Sequence, residues 1–126
     1  MNTILQTWME KVNAGDLEGV LGLYDESATL LPTFSPQRAS TKTAIKAYFE
    51  NLASKAALRV EFDPDTIVEY RMGETVECVC GHYTFSYDVA GKKHSFASRF
   101  TFVFNAARDH PIYHHHSSQI PASAYE

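Results

Sequence analysis

The chain has only two cysteines, Cys78 and Cys80, and they lie two positions apart in a segment typical of a β-strand. Neighbours at i and i+2 on one strand are poorly placed to form a disulfide, although their side chains share a face. We therefore predict that both are reduced core residues of a cytoplasmic protein. A metal-binding pair of the Cys-x-Cys type is the alternative.

Long apolar runs and basic runs are also missing. No stretch approaches the roughly 20 apolar residues of a membrane-spanning helix. The N-terminal MNTILQTWMEK lacks the basic and apolar regions of a secretory signal. A net charge of −4 without a basic cluster argues against nucleic acid or an anionic membrane as a partner. The chain also lacks the motifs G-x-S-x-G and H-E-x-x-H, the P-loop and the Rossmann glycine set, so we predict no cofactor.

The hydrophobic pattern places helices first and most strands afterwards. Apolar residues recur every three or four positions in the helical segments and alternate in the strands. The predicted elements are helices at 3–14, 17–24 and 41–54 and strands at 27–31, 58–70, 75–89, 94–105 and 112–118. This order indicates one α+β domain over residues 1–126, with an antiparallel sheet curling over three helices.

Each of the two central strands has an aromatic face and a smaller, mixed face. In the strand at 94–105, Phe100, Phe102 and Phe104 alternate with Arg99 and small residues. Three helices can cover only one face of such a sheet, and the other would leave a large apolar area in water. We therefore expect a homodimer in which the phenylalanine face points outward and is sealed by a second copy.

Arg99 is the most specific candidate for a site residue. A guanidinium inside an aromatic strand is either paired with a carboxylate, such as that of Glu50 or Glu61, or offered to an anionic ligand. If its face is concave, the arginine would bind a carboxylate or a phosphate.

The run from His114 to His116 presents two side chains on one strand face, while His115 points to the other. Two histidines at i and i+2 can be metal ligands, but a site needs a third ligand that only the fold can supply. We assign no metal and expect structural hydrogen bonding. A histidine that faces a pocket can also act as a general base near neutral pH.

Several segments in register resemble the association (hub) domain of calcium/calmodulin-dependent protein kinase II. They are NAGDLE at 13–18, YFENL at 48–52, SRFTFVF at 98–104 and HHHSS at 114–118. The resemblance covers nearly the whole chain. It implies the nuclear transport factor 2-like cone, a curved sheet wrapped around helices with a pocket at the wide end. It also implies self-association, at least as a dimer, without kinase or calmodulin-binding activity.

The same resemblance implies which residues line the pocket. The central arginine of the hub matches Arg99, and two further hub arginines fall at Ser117 and near His82. The register then puts His82, Arg99, His115 and Ser117 on the concave side. The ligand-binding residues predicted in this way are Arg99, His82, His115 and Ser117, and Tyr48 is predicted as a fifth from the small enzymes that share this fold.

Three functions stay open at this point. The prediction is a free-standing, homo-oligomerising binding module whose pocket takes a small anionic or carboxylate ligand. The alternative follows from small enzymes of the same fold, the ketosteroid isomerases, dehydratases and SnoaL-type cyclases. An isomerase, dehydratase or hydrolase would use His115 as its base, with Tyr24 and Tyr48 as partial counterparts of the catalytic residues. A purely structural assembly module is the third possibility.

Overall fold

A computed structural model describes residues 1–121 of the chain. Three helices and five strands follow one another along it. They are α1 (Thr3–Ala14), α2 (Leu17–Leu21), β1 (Tyr24–Leu31), α3 (Lys42–Ala53), β2 (Ala56–Arg71), β3 (Val76–Val89), β4 (Lys92–Asn105) and β5 (Ile112–Gln119). The α+β class and the three N-terminal helices predicted from the sequence are confirmed. The prediction that Tyr24 belongs to the second helix is wrong, because this residue begins β1.

Side-chain caps define where each helix begins. The Asn2 carboxamide accepts a hydrogen bond from the backbone N–H of Ile4 at 2.9 Å, and the Asp16 carboxylate accepts one from Gly19 at 2.9 Å. Thr41 caps α3 in the same way. These bonds satisfy backbone donors that have no partner inside the helix. Gly15 ends α1 in the left-handed region, with φ at 69°, and turns the chain directly into α2.

The five strands form one sheet in the order β1-β5-β4-β3-β2. Strands β2 to β5 pair with their neighbours in antiparallel fashion, whereas β1 pairs with β5 in parallel. The predicted antiparallel sheet is therefore confirmed for β2 to β5, and the parallel pair of β1 with β5 adds to it at this edge. Parallel pairing needs a long connection, and here the chain from α3 to β4 lies between the two strands. Within residues 1–121, no helix is both long and apolar enough to cross a membrane.

The aromatic face of the sheet is its inner face and forms the core with the helices. Phe102 is 0% exposed, and Phe100 and Phe104 are buried beside it. Trp8 of α1 packs edge-on against Phe102, with ring centroids 5.5 Å apart. The prediction that this face points outward toward a second copy is wrong. Burying apolar area stabilises the fold by about 25 cal/mol per Å², so the helices cover the face with the larger apolar side chains.

Candidate functional site

His115 lies at the centre of a buried chain of hydrogen bonds. The alternation of β5 turns it inward, where it is only 2% exposed, while its neighbours His114 and His116 face outward. Its Nδ1 lies 2.8 Å from the hydroxyl oxygen of Tyr24 and its Nε2 lies 3.0 Å from that of Tyr83. Strands β1, β3 and β5 thus contribute one polar group each to the same point of the core.

The count of donors and acceptors fixes the direction of this chain. The indole Nε1–H of Trp8 donates to the Tyr24 hydroxyl at 3.0 Å, so that oxygen already serves as an acceptor. The Tyr24 O–H then has His115 Nδ1 as its acceptor. His115 must therefore carry its proton on Nε2 and donate it to Tyr83. The opposite tautomer would leave the buried Tyr24 hydrogen without a partner, which costs about 1–3 kcal/mol.

Burial keeps every member of the chain neutral. Phe102 stacks on the imidazole with centroids 3.8 Å apart, and Trp8 meets it edge-on at 5.4 Å. Loss of solvent lowers the pKa of His115 well below its ordinary value of 6.5. Burial likewise raises the pKa values of the Tyr24 and Tyr83 hydroxyls above the ordinary value of 10.0.

The chain of hydrogen bonds ends at a small void. The hydroxyls of Thr33 and Ser117 are in contact there, beside Tyr83. Tyr48 lines the same void, and burial raises its pKa to about 12. The space that remains has a volume of about 10 Å³. This is close to the smallest cavity that holds one water molecule, so this void has no room for an organic ligand.

The arrangement can hold and relay protons between neutral groups, but it lacks a charged partner. In the part of the chain that the structure describes, no carboxylate lines the void. Among residues 1–121, no group of three or more His, Cys, Asp or Glu side chains is placed to hold a metal ion.

Arg99 and His82 do not belong to this cluster. They are cross-strand neighbours in the β3–β4 register, and both are exposed on the outer face of the sheet. Arg99 also pairs with Ser118 of β5, whereas Ser117 pairs with Phe100. The prediction that Arg99 shares the concave side with His115 and Ser117 is therefore wrong. Arg99 pairs with Ser118 and not with Ser117, a difference of one residue in register, and such a difference places a side chain on the opposite face of the sheet.

The surroundings of Arg99 also decide whether it forms an ion pair with a carboxylate such as that of Glu50 or Glu61. Within the described part of the chain, the ion pairs are Lys11–Asp16 and Arg59–Glu61, so Arg99 has no carboxylate partner there.

Cys78 and Cys80 lie half-buried on the same outer face, as free thiols.

The structure thus brings together four of the predicted residues and adds three others. Tyr48, His115 and Ser117 line the void and Tyr24 is hydrogen-bonded to His115, while Trp8, Thr33 and Tyr83 were not predicted for the site. Tyr83 had a usable signal, because it alternates with Val79 and Phe85 on the aromatic face of β3. Once that face is taken as the inner one, its hydroxyl has to find a buried partner.

The family model described as the calcium/calmodulin dependent protein kinase II association domain matches residues 1–121. A proposed association domain of that kinase from Xanthomonas campestris superposes with a TM-score of 0.83 and 30% sequence identity, covering 94% of this chain and 84% of that one. No protein of curated function matches the chain.

Two more distant structures share only the fold. An NTF2-like protein with a cystatin-like fold from Novosphingobium aromaticivorans has a TM-score of 0.76 at 15% identity, and the match covers 96% of this chain and 80% of that one. A proposed dehydratase of the NTF2-like family from Streptomyces avermitilis has a TM-score of 0.78 at 13% identity, with 94% and 93% covered. The cone-like architecture inferred from the sequence is confirmed by these neighbours.

Proposed function

Because the chain belongs to the calcium/calmodulin-dependent protein kinase II association domain family, we propose that it is a self-assembling module whose copies pack through the outer face of the sheet. We keep the cytoplasm as its location within this proposal. The family is described as an association domain, and the outer face of the sheet is the surface of this chain that is suited to contact a second copy.

The observation that carries the proposal is an apolar patch that the helices leave open. We call it the outer patch; it consists of Val68, Tyr70, Cys78, Cys80, Thr101, Val103, His114 and His116, which form two adjacent rows across β2, β3, β4 and β5. Val68 is 45% exposed and Tyr70 is 53% exposed. An exposed apolar area of this kind is typical of an interface between proteins.

The charges around the patch fit an interface with a polar rim. The outer patch contains no Lys, Arg, Asp or Glu. The next row of the same face carries Asp63, His82, Arg99 and Ser118. An apolar centre that is bordered by charged groups is the usual anatomy of a protein–protein interface. We therefore place Arg99 and His82 at the edge of the assembly face instead of in a ligand pocket.

The enzyme alternative has less support. A reaction that uses His115 as its base needs a substrate next to the imidazole, and the void at that point measures about 10 Å³. The carbon skeleton of an isomerase or dehydratase substrate requires a pocket of several hundred Å³. The polar cluster is better explained as a fully paired network that makes the core specific.

Sedimentation equilibrium of the wild-type chain and of Val103→Glu tests the proposal. Val103 is half-buried at the centre of the patch, where a carboxylate would lose its water in an assembly. We expect the wild type to be a dimer or larger. The substitution should cost the interface about 3 kcal/mol or more, a hundredfold or greater rise in the dissociation constant.

The matched control is Thr43→Glu, which adds the same charge at an exposed position of α3. It should assemble like the wild type, and far-ultraviolet circular dichroism should show all three chains folded. A monomeric wild type, or a Val103→Glu variant with unchanged mass, would overturn the proposal.

A further inference from the structure

A groove outside the outer patch lies between α3 and the loop that follows β1, and it shares Pro32 and Tyr48 with the lining of the buried void. Its volume is about 500 Å³. We call it the α3 groove, and its lining residues are Pro32, Phe34, Ser35, Pro36, Gln37, Arg38, Ala39, Ala44, Ala47, Tyr48, Asn51, Leu52 and Lys55. Of the five ligand-binding residues predicted from the sequence, Tyr48 is in this lining, whereas Arg99, His82, His115 and Ser117 are not. A groove of this size can accommodate a small organic molecule.

The loop wall of the groove is held in place by the core. The backbones of Leu30 and Ala39 exchange two hydrogen bonds of 2.8 and 2.9 Å, which close the loop at its base. Phe34 packs edge-on against Phe85 at 5.5 Å and against Phe96 at 5.3 Å. This wall is therefore already ordered before a ligand binds, so little of the binding free energy is spent on ordering it.

The groove has an apolar floor and a positively charged rim. Pro32 and Leu52 are buried at the floor, and Tyr48 is half-buried beside them. Among the described residues of the lining, Arg38 and Lys55 are charged and none is a carboxylate, although the chain as a whole has a net charge of −4. The groove is therefore a local positive site on an acidic protein, and it favours an anion.

The two cations are available to such a ligand. Neither takes part in the ion pairs found within residues 1–121, which join Lys11 to Asp16 and Arg59 to Glu61. The ammonium of Lys55 lies 4.8 Å from the centre of the Tyr87 ring, and this cation–π contact holds it beside the groove. A guanidinium and an ammonium are each suited to bind the oxygens of a carboxylate or a phosphate, and both line this groove.

We propose that the α3 groove binds a small organic anion. Its aromatic or aliphatic part lies on the floor made by Tyr48 and Leu52, and its carboxylate or phosphate contacts Arg38 and Lys55. This site works whether or not the chain assembles, because the groove and the outer patch share no residue.

Ligand-observed saturation-transfer difference NMR on the full chain tests the proposal, and the method suits assemblies of any size. The probes are benzoate, phenyl phosphate and inorganic phosphate, with benzyl alcohol as the neutral counterpart of benzoate. We expect benzoate or phenyl phosphate to bind, and the stronger of the two identifies the preferred anionic group. Benzyl alcohol and inorganic phosphate should each bind at least about tenfold more weakly. Benzyl alcohol lacks the anionic group, and inorganic phosphate lacks the apolar ring.

The double variant Arg38→Gln/Lys55→Gln should weaken binding of the preferred probe at least about tenfold. The matched control Lys46→Gln/Arg108→Gln removes one lysine and one arginine from exposed positions outside the groove and should bind like the wild type. Three results would each overturn the proposal. They are no saturation transfer to either organic anion, equal affinity of the double variant and the wild type, and equal affinity for benzyl alcohol and benzoate.

Discussion

At the scale of single residues, His115 is the centre on which the interior of the cone depends. It accepts from one tyrosine and donates to another, and it does so as a neutral imidazole stacked on Phe102. A buried polar group stabilises a fold only when its partners are all present. Each tyrosine hydroxyl in this chain of hydrogen bonds should therefore contribute more to the free energy of unfolding than an ordinary surface hydroxyl does.

Tyr24→Phe should lower the free energy of unfolding by about 2–4 kcal/mol, because it leaves Trp8 Nε1 and His115 Nδ1 buried without partners. Urea denaturation followed by circular dichroism measures the change. Tyr113→Phe, at a half-buried tyrosine outside the hydrogen-bond chain, is the control and should change stability by less than about 0.5 kcal/mol. Equal effects of the two substitutions would show that the Tyr24 hydroxyl has no special partner.

The buried imidazole also predicts how stability depends on pH. The folded pKa of His115 lies well below 6.5, so below that pH the unfolded chain binds a proton that the folded chain does not. Stability from this residue is therefore complete above pH 6.5 and falls with decreasing pH, by about 1.4 kcal/mol per unit, until the folded pKa is reached. Urea titrations between pH 7 and pH 5 measure the slope.

The variant His115→Gln should lose this contribution to the slope, whereas His114→Gln, on the outer face, should keep it. If the wild type and the His115→Gln variant had the same slope, the pKa of His115 would be the same in the folded and the unfolded chain, contrary to this prediction.

At the scale of elements, strand faces decide which residues meet, and here the sequence pattern is informative only in part. Alternation correctly sorts Phe100, Phe102 and Phe104 from Arg99, and it correctly separates His115 from His114. It does not tell which of two apolar faces the helices cover. That choice depends on the total apolar area of each face and on the register of β4 with β5, and both are properties of the assembled sheet. The buried site was therefore predicted only in part, and Arg99 was placed on the wrong side.

One element-scale feature is the close approach of β2 to Gly81 in β3. The β2–β3 register shifts between Asp63 and Val68, and a Cβ at Gly81 would lie 3.2 Å from the Cα of Ile67 and 3.2 Å from the ring of Phe100. Gly81→Ala should therefore destabilise the chain by about 1–3 kcal/mol.

The control is Gly73→Ala, where the nearest atom would be 3.9 Å away, and there the stability should stay the same or rise slightly. Thermal unfolding of both variants makes the comparison. If Gly81→Ala melted at the wild-type temperature, the bulge in β2 would have to be more adaptable than the spacing indicates.

At the scale of the whole molecule, the order of helices and strands was sufficient to predict the α+β architecture, because periods of 3.6 and 2 separate cleanly along this chain. The parallel contact of β1 with β5 was not predictable in this way, since it joins segments from opposite ends of the sequence. The central proposal also belongs to this scale. A sheet with one face on the helices and an apolar second face is only half covered, and a second copy of the chain would cover the rest.

The two cysteines report directly on whether that face is covered. Cys78 and Cys80 are the chain's only cysteines, and both lie half-buried in the outer patch. The decisive measurement is the rate at which N-ethylmaleimide modifies them in the assembled wild type and in the same wild-type chain dissociated by dilution. We predict that the thiols react several-fold more slowly in the assembled wild type, because the partner shields them. Equal rates in the assembled and monomeric forms would contradict the account, since assembly would then use another surface.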